Sequence, residues 1–161
     1  MVFSTTEIFE IAIQIERNGA AFYRWAAQVA PDKDSRAMLA SLAEMEDDHE
    51  VTFTTMRDTA AVSGEPRDEE MLSYIRTMAD NHVFDTGMDP EAILTGEETT
   101  EEILSTAIGL EKESVVYYAA LKEVVVDETT REKVQAIILE EMGHIADLSG
   151  RREVLRDDRS A

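Results

Sequence analysis

The sequence predicts an all-α fold, an up-down bundle of four long helices whose two halves are joined by one long crossover connection. Only seven glycines and three prolines occur among 161 residues, so long uninterrupted helices are possible. Apolar residues recur at helical spacing over four long segments, and no convincing strand pattern is present. The segments form two pairs, each joined by a short turn, so the partners in a pair should be antiparallel neighbours.

The first helical pair is predicted over about residues 5–30 and 34–62. Ser4, followed three residues later by Glu7, is a capping box that begins the first helix, and Pro31 ends it. The second helical pair is predicted over about residues 100–126 and 130–156. Each helix begins at a capping box, formed by Thr99 with Glu102 in the first and by Thr129 with Glu132 in the second.

The connection between the pairs covers about residues 63–99 and is long enough to cross the bundle. Within it, residues 67–84 are predicted to contain one short helix, and residues 85–98 a loop with a helical turn. A bundle with one such crossover has the ferritin-like arrangement. We expect residues 1–161 to form a single domain. His82, in the connection, is interpreted as a structural or exposed residue.

The composition limits the possible partners, location and chemistry. The formal net charge of −20 would repel nucleic acid and anionic membranes, so we expect neither as a partner. No apolar run could cross a bilayer and the N-terminus lacks a secretory pattern, so the cytoplasm is the expected location. The absence of cysteine excludes disulfides and thiolate metal sites. Any metal must therefore be held by oxygen and nitrogen.

A shift of 95 residues aligns the two halves at positions that carry polar, aromatic and capping residues. The equivalent pairs are Ser4 and Thr99, Glu7 and Glu102, Glu16 and Glu111, Phe22 and Tyr117, Tyr23 and Tyr118, Glu46 and Glu141, and His49 and His144. Each half therefore carries one glutamate on its first helix and a Glu-x-x-His pair on its second. Within each half, the two glutamates are thirty residues apart.

The repeated glutamates lie within apolar stripes that should face a core. Glu141, for example, follows Ile137 and Ile138 by one helical turn, whereas Glu44 has Asp47 and Asp48 as neighbours and should face solvent. Burying an unpaired charge is expensive, so the core glutamates require compensation. Two divalent cations would neutralise four converging carboxylates, and a ligand set of four Glu and two His without sulfur favours iron or manganese over structural zinc.

Each Glu-x-x-His pair places two ligands on one helical face and is expected near its own metal ion. The remaining glutamates would complete or bridge the coordination. The expected ligands are Glu46 with His49 at one ion, Glu141 with His144 at the other, and Glu16 and Glu111. The alternative is a helical bundle whose buried ion pairs are purely structural.

The four long helices together resemble those of the rubrerythrin-type branch of the ferritin-like di-iron carboxylate superfamily. The matching segments, in chain order, are IERNGAAFYRWAA, LAEMEDDHEVTF, IGLEKESVVYYAAL and ILEEMGHIADL, so the resemblance covers most of the chain. It implies two iron ions held by the six residues above, with manganese or a mixed pair as alternatives, and reaction with hydrogen peroxide or dioxygen. It also suggests that Tyr23 and Tyr118 hydrogen-bond to ligand carboxylates, with core packing as the alternative role.

Three positions or residue types differ from the patterns of related families. Rubrerythrins usually carry a rubredoxin-like iron site of four cysteines, so this cysteine-free chain would need a separate electron donor, for example a rubredoxin-like protein. They also place a second glutamate three residues after the third-helix ligand, where this chain has Ser114, and their redox-switching mechanism uses that residue. The six-ligand set also resembles bacterioferritin, but Asp47 replaces its haem-binding methionine, so no haem is expected.

The expected function is removal of hydrogen peroxide by a non-haem di-iron oxidoreductase in oxidative-stress defence. The first alternative is a ferroxidase and iron-storage protein of the bacterioferritin type, which would require a hollow assembly. The second is a non-enzymatic acidic helical bundle. A homodimer is expected because related bundles commonly pair.

Overall fold

The computed structural model describes residues 4–60, 69–80 and 89–160, and all regular secondary structure within these ranges is helical. The helices are α1 (Thr5–Val29), α2 (Lys33–Ala60), α3 (Glu69–Asp80), α4 (Pro90–Ile93), α5 (Thr100–Val124) and α6 (Glu128–Ser160). Helix α1 packs mainly against α2, and α5 against α6. The predicted all-α bundle of two long-helix pairs, with a short helix in the crossover, is confirmed.

The caps of α1 and α5 are those that the sequence predicts. In each capping box the first residue accepts a hydrogen bond from a backbone N–H three residues later, and the glutamate there accepts one in return. The predicted start of the last helix is wrong. Helix α6 begins at Glu128, because Asp127 caps it by accepting a 2.8 Å hydrogen bond from the Thr130 backbone N–H. Its other end is Ser160, beyond the expected end near residue 156.

Helix α2 begins one residue before the expected position, and the cap is again an aspartate. The Asp32 carboxylate accepts a 2.8 Å hydrogen bond from the Ser35 backbone N–H. The predicted end of this helix near residue 62 lies outside the described residues, as does His82. Among the described residues, no helix combines the length and apolar character needed to span a membrane.

The core consists of two apolar clusters with a polar layer between them. Along α1, the buried apolar residues from Ile8 to Ile15 belong to one cluster and those from Phe22 to Ala26 to the other, and Glu16 lies between the two runs. The other three long helices also pass from one cluster to the other, in the same direction along α6 and in the reverse direction along α2 and α5. Their intervening residues are Glu46, Glu111 and Glu141. Each long helix therefore brings one glutamate to the middle of the bundle, and apolar packing above and below keeps this layer away from water.

Candidate metal centre

The structure brings together all six residues that the sequence predicts as metal ligands. None of them is more than 3% exposed. The histidines lie on α2 and α6, one turn after the glutamates of the same helices, because residues three apart share a helical face. The six residues are Glu16, Glu46, His49, Glu111, Glu141 and His144.

The six side chains form two overlapping groups, and within each group the possible ligand atoms lie within 4.8 Å of one another. One group is Glu16, Glu46, His49 and Glu141, and the other is Glu46, Glu111, Glu141 and His144. The two groups share Glu46 and Glu141. The sequence leaves open whether Glu16 and Glu111 complete or bridge the coordination. Each of them belongs to one group only, so this geometry fits the completing role.

Both imidazole rings present Nδ1 to the carboxylates. His49 Nδ1 lies 2.9 Å from Glu141 Oε1 and 3.5 Å from Glu16 Oε2. His144 Nδ1 lies 2.9 Å from Glu141 Oε2 and 3.4 Å from Glu111 Oε1. The rings stack with centroids 5.8 Å apart and planes 22° apart. The two histidines therefore lie side by side, and each points Nδ1 toward one oxygen of Glu141.

Several buried atoms that point into the centre lack a partner in hydrogen-bonding geometry among the described residues. They are Glu16 Oε2, Glu46 Oε1, His49 Nδ1 and Glu141 Oε1. Buried polar atoms are rarely left without partners, since each one costs about 1–3 kcal/mol. Metal ions bound between these atoms would remove that cost, so the residues present fit a pair of cations held by oxygen and nitrogen.

The carboxyl groups of the centre differ in pKa. Burial raises the pKa of Glu111 to about 8 and also raises the pKa of Glu16. Burial, with the neighbouring carboxylates, raises the pKa of Glu46 well above its usual value. Burial acts in the same direction on Glu141, but the hydrogen bond with His144 and the close contact with His49 lower its pKa to about 2. Glu141 is therefore ionised at neutral pH in the metal-free protein.

Burial and the neighbouring charges shift the histidine pKa values in directions opposite to those for Glu141. Burial lowers their pKa values, but the carboxylates outweigh it: Glu141 and Glu16 raise the pKa of His49 to about 11, and Glu111 and Glu141 raise that of His144 to about 9. Metal ligation requires an unprotonated nitrogen and ionised carboxylates. Metal binding at neutral pH would therefore release protons from this cluster.

Two tyrosines link the halves of the molecule at the centre. The Tyr23 hydroxyl donates a hydrogen bond to Glu111 Oε1, and the Tyr118 hydroxyl donates one to Glu16 Oε1. Each tyrosine thus holds a glutamate of the other half. Burial raises the pKa of both hydroxyls well above 10, so each remains a neutral donor at physiological pH. Such hydrogen bonds orient ligand carboxylates.

Two residues next to the centre have roles that the sequence analysis missed. A Cβ atom at Gly19 would lie 2.7 Å from Glu46 Oε2, so the glycine provides the space that this carboxylate occupies. The available signal was a glycine in mid-helix, one turn after Glu16. Glu140 contacts His49, with its Oε2 2.7 Å from the ring Nε2. No sequence signal distinguished Glu140 from the many surface glutamates.

Comparison with known proteins agrees with this geometry. The Rubrerythrin family model matches residues 7–150. A solved structure from Thermotoga maritima, assigned as a ferritin-like diiron-carboxylate protein, is similar to the chain with a TM-score of 0.72 and 24% sequence identity. The match covers 95% of this chain and 97% of that chain, and it shows the ferritin-like fold. No curated protein gave a significant match.

Proposed function

The chain belongs to the rubrerythrin family, and we propose that it is a non-haem di-iron oxidoreductase that reduces hydrogen peroxide to water. The observation that carries the proposal is the pair of overlapping carboxylate–histidine groups with two shared glutamates. A pair of metal ions, if held by these shared ligands, could act together on one small substrate. The family and the sulfur-free donor set support iron as the metal.

The residues that would hold the metal ions follow from the two groups. Glu16 and His49 would hold one ion, Glu111 and His144 the other, and the two shared glutamates would hold both. Two ferrous ions, when bound, would supply the two electrons that reduction of hydrogen peroxide to two water molecules requires. Two protons are consumed in the same reaction.

The protein would contribute orientation, exclusion of water and proton positions. The apolar clusters on both sides of the polar layer restrict access of water to the centre. Tyr23 and Tyr118 hold neutral hydroxyl groups against Glu111 and Glu16, which fixes these carboxylates and keeps a proton at each phenol oxygen. Because the centre is built on four helices rather than loops, its geometry is largely set before substrate enters.

We further propose that electrons reach the centre from a separate one-electron carrier, such as a rubredoxin-like protein. The chain has no cysteine, so it cannot itself hold an iron site of four thiolates. A homodimer in the cytoplasm, acting in oxidative-stress defence, is the setting that we propose for this reaction.

Iron oxidation for storage is the second candidate, and one contact favours it. The Ser114 hydroxyl donates a 3.2 Å hydrogen bond to the Leu110 backbone oxygen of its own helix. At the position where rubrerythrins have a second glutamate, this chain therefore offers the centre no extra ligand. Storage would require a hollow assembly, which sedimentation velocity would detect as a particle of many chains.

Anaerobic loading with Fe(II), followed by addition of peroxide, tests the proposed function. We expect about two iron ions per chain and consumption of one peroxide for every two ferrous ions, monitored by near-ultraviolet absorption. Turnover should continue when a reductant and a carrier protein are supplied. The Glu141→Ala variant should lose both iron and peroxide consumption, whereas Glu44→Ala on the exposed face of α2 should keep them.

Two results would contradict the proposal. A folded wild-type protein that binds no stoichiometric iron would support the purely structural bundle. Iron uptake well above two ions per chain, driven by dioxygen and accompanied by a large particle, would support the storage alternative.

A further inference from the structure

The outward nitrogens of the two buried histidines have different surroundings. His49 Nε2 lies 2.7 Å from Glu140 Oε2, within hydrogen-bonding distance. His144 Nε2 is equally buried but has no hydrogen-bond partner among the described residues. On their inward side the two rings are alike, since each presents Nδ1 to a Glu141 oxygen at 2.9 Å.

The repeat identifies the substitution behind this difference. Under the shift of 95 residues, His49 corresponds to His144, and Glu140 corresponds to Met45. Met45 on α2 therefore holds the register position relative to His144 that Glu140 on α6 holds relative to His49. A thioether sulfur is only a weak acceptor, so methionine cannot replace the carboxylate as a partner for an imidazole N–H. Met45 and Glu140 are both partly exposed: Met45 is 38% exposed as a whole residue, and the Glu140 side chain is 55% exposed.

A carboxylate on the outer nitrogen affects what the inner nitrogen can do. An imidazole that binds metal through Nδ1 is neutral and carries its proton on Nε2. A carboxylate that accepts this proton in a hydrogen bond fixes the tautomer and the ring orientation, and it raises the basicity of the ligating nitrogen. The same ring without an acceptor is held only by packing. Loss of such a partner typically costs 10–100-fold in metal affinity.

We propose that Glu140 is a positioning residue for His49, and that it makes the two metal positions unequal. The position at His49 binds its metal ion more tightly, and the position at His144 fills second and exchanges first. This inference rests on the proposed metal-binding function of the centre. It adds an order of filling that the symmetric ligand set alone does not predict.

Titration of the metal-free protein with Co²⁺ tests the inference. Co²⁺ takes the same nitrogen and oxygen donors and absorbs visible light, so binding can be followed by absorption and calorimetry. For the wild type we expect two steps whose dissociation constants differ by about tenfold or more. Glu140→Ala should weaken the tighter step by roughly tenfold and bring the two constants together. Met45→Glu should strengthen the weaker step instead, because it supplies the missing acceptor to the other half.

The controls separate positioning from folding. Glu132→Ala removes an exposed glutamate from the same helix and should leave both constants unchanged. A purely structural role of Glu140 would lower the melting temperature without changing the ratio of the two constants. Equal constants in the wild type, or an unchanged tighter step in Glu140→Ala, would overturn the inference while leaving metal binding in place. Failure of the wild type to bind Co²⁺ or Fe²⁺ at all would instead overturn the proposed function.

Discussion

The hairpin of α1 and α2 and the hairpin of α5 and α6 present the same residues to the centre but differ in the layer outside them. The turns within the two hairpins likewise share a helix cap but differ in their other contacts. Asp32 and Asp127 are equivalent in the repeat, and each caps the following helix. Asp32 alone of the two also binds Arg151 at 2.6 Å and Thr100 at 2.9 Å among the described residues, which ties the first turn to the second hairpin.

This comparison separates what the metal centre requires from what each half has acquired. The candidate ligands are the same in the two halves, since each half supplies one Glu and one Glu-x-x-His pair to the centre. The supporting positions differ: Gly19 corresponds to Ser114, and Glu140 corresponds to Met45. The ligands are thus equivalent in the two halves, whereas the residues that contact or flank them are not. Separate variants can test each property.

The largest expected effect tests the equivalence of the ligands. Because Glu46 and Glu141 belong to both groups, replacing either with alanine should remove both metal ions. Glu16 and Glu111 belong to one group each, so their alanine variants should each keep about one ion per chain. The measurement is metal content after anaerobic Fe(II) loading and desalting, with Glu44→Ala as the exposed control.

The fold should survive these substitutions. Removing the Glu46 carboxyl group relieves desolvation and like-charge repulsion in the metal-free protein, so helical content by circular dichroism should be unchanged in Glu46→Ala. Glu141→Ala removes the carboxylate that pairs with both histidines, so it should remain helical with a lower melting temperature. If Glu16→Ala also lost both ions, the division into shared and single-group glutamates would be wrong.

The second prediction concerns pH and sharpens the contrast between equivalent residues. Glu141 has a pKa lowered to about 2, whereas its counterpart Glu46 has a raised pKa. Glu111 has a pKa of about 8 in the folded protein and about 4.5 unfolded, so the folded state binds more protons between these values. Stability of the metal-free protein therefore falls as pH rises through this range.

His144 acts in the same direction. Its pKa is raised to about 9, so it contributes stability below about pH 6.5 that is lost as pH approaches 9.

The expected size follows from the pKa of Glu111. Between pH 6 and pH 8 this group alone should lower the free energy of unfolding by about 2 kcal/mol. The metal-free melting temperature should then fall by roughly 4–8 °C, measured by circular dichroism. With saturating divalent metal the fall should be much smaller, because bound ions keep the carboxylates ionised at both pH values. A metal-free protein that is more stable at pH 8 than at pH 6 would contradict this charge distribution.

Much of this molecule could be predicted from its sequence because the informative residues are repeated. The capping boxes at Ser4 and Thr99 predicted two helix starts, and the recurrence of one Glu and one Glu-x-x-His in each half identified the six residues that meet in the core. The capping box at Thr129 failed as a start signal, because the carboxylate of Asp127 accepts a hydrogen bond from the Thr130 N–H and begins the helix earlier.

The parts that could not be predicted depend on the depth and rotation of packed helices. Which glutamates are shared follows from how far each carboxylate reaches across the bundle, and sequence spacing along one helix does not contain that distance. Glu140 lacked a signal for a similar reason, since its partner His49 lies 91 residues away on another helix. Only the three-dimensional structure shows that one of many surface glutamates touches a buried ring.

The smallest of the three predicted effects tests the inequality of the supports at Gly19 and Ser114. In Gly19→Ala the new Cβ would lie 2.7 Å from Glu46 Oε2, so the carboxylate must move while the helix backbone stays in place. Metal affinity should fall roughly tenfold, as for loss of other groups that hold a ligand in position. Both ions should be affected, because Glu46 belongs to both groups. Ser114→Ala keeps its Cβ and loses only a hydroxyl that bonds to its own helix, so its affinity should be unchanged.

Gly109→Ala provides the matched control, because a Cβ at Gly109 would have no neighbour within 4 Å. Alanine should stabilise α5 there by about 1 kcal/mol through its higher helix propensity and leave Co²⁺ binding unchanged. The same propensity gain applies at Gly19, so Gly19→Ala should bind metal more weakly without a matching loss of metal-free stability. Equal affinity losses in Gly19→Ala and Ser114→Ala would show that both halves use this position in the same way. A loss of affinity in Gly19→Ala alone would show that only the first half requires glycine at this position, because Glu46 leaves no room there for a side chain.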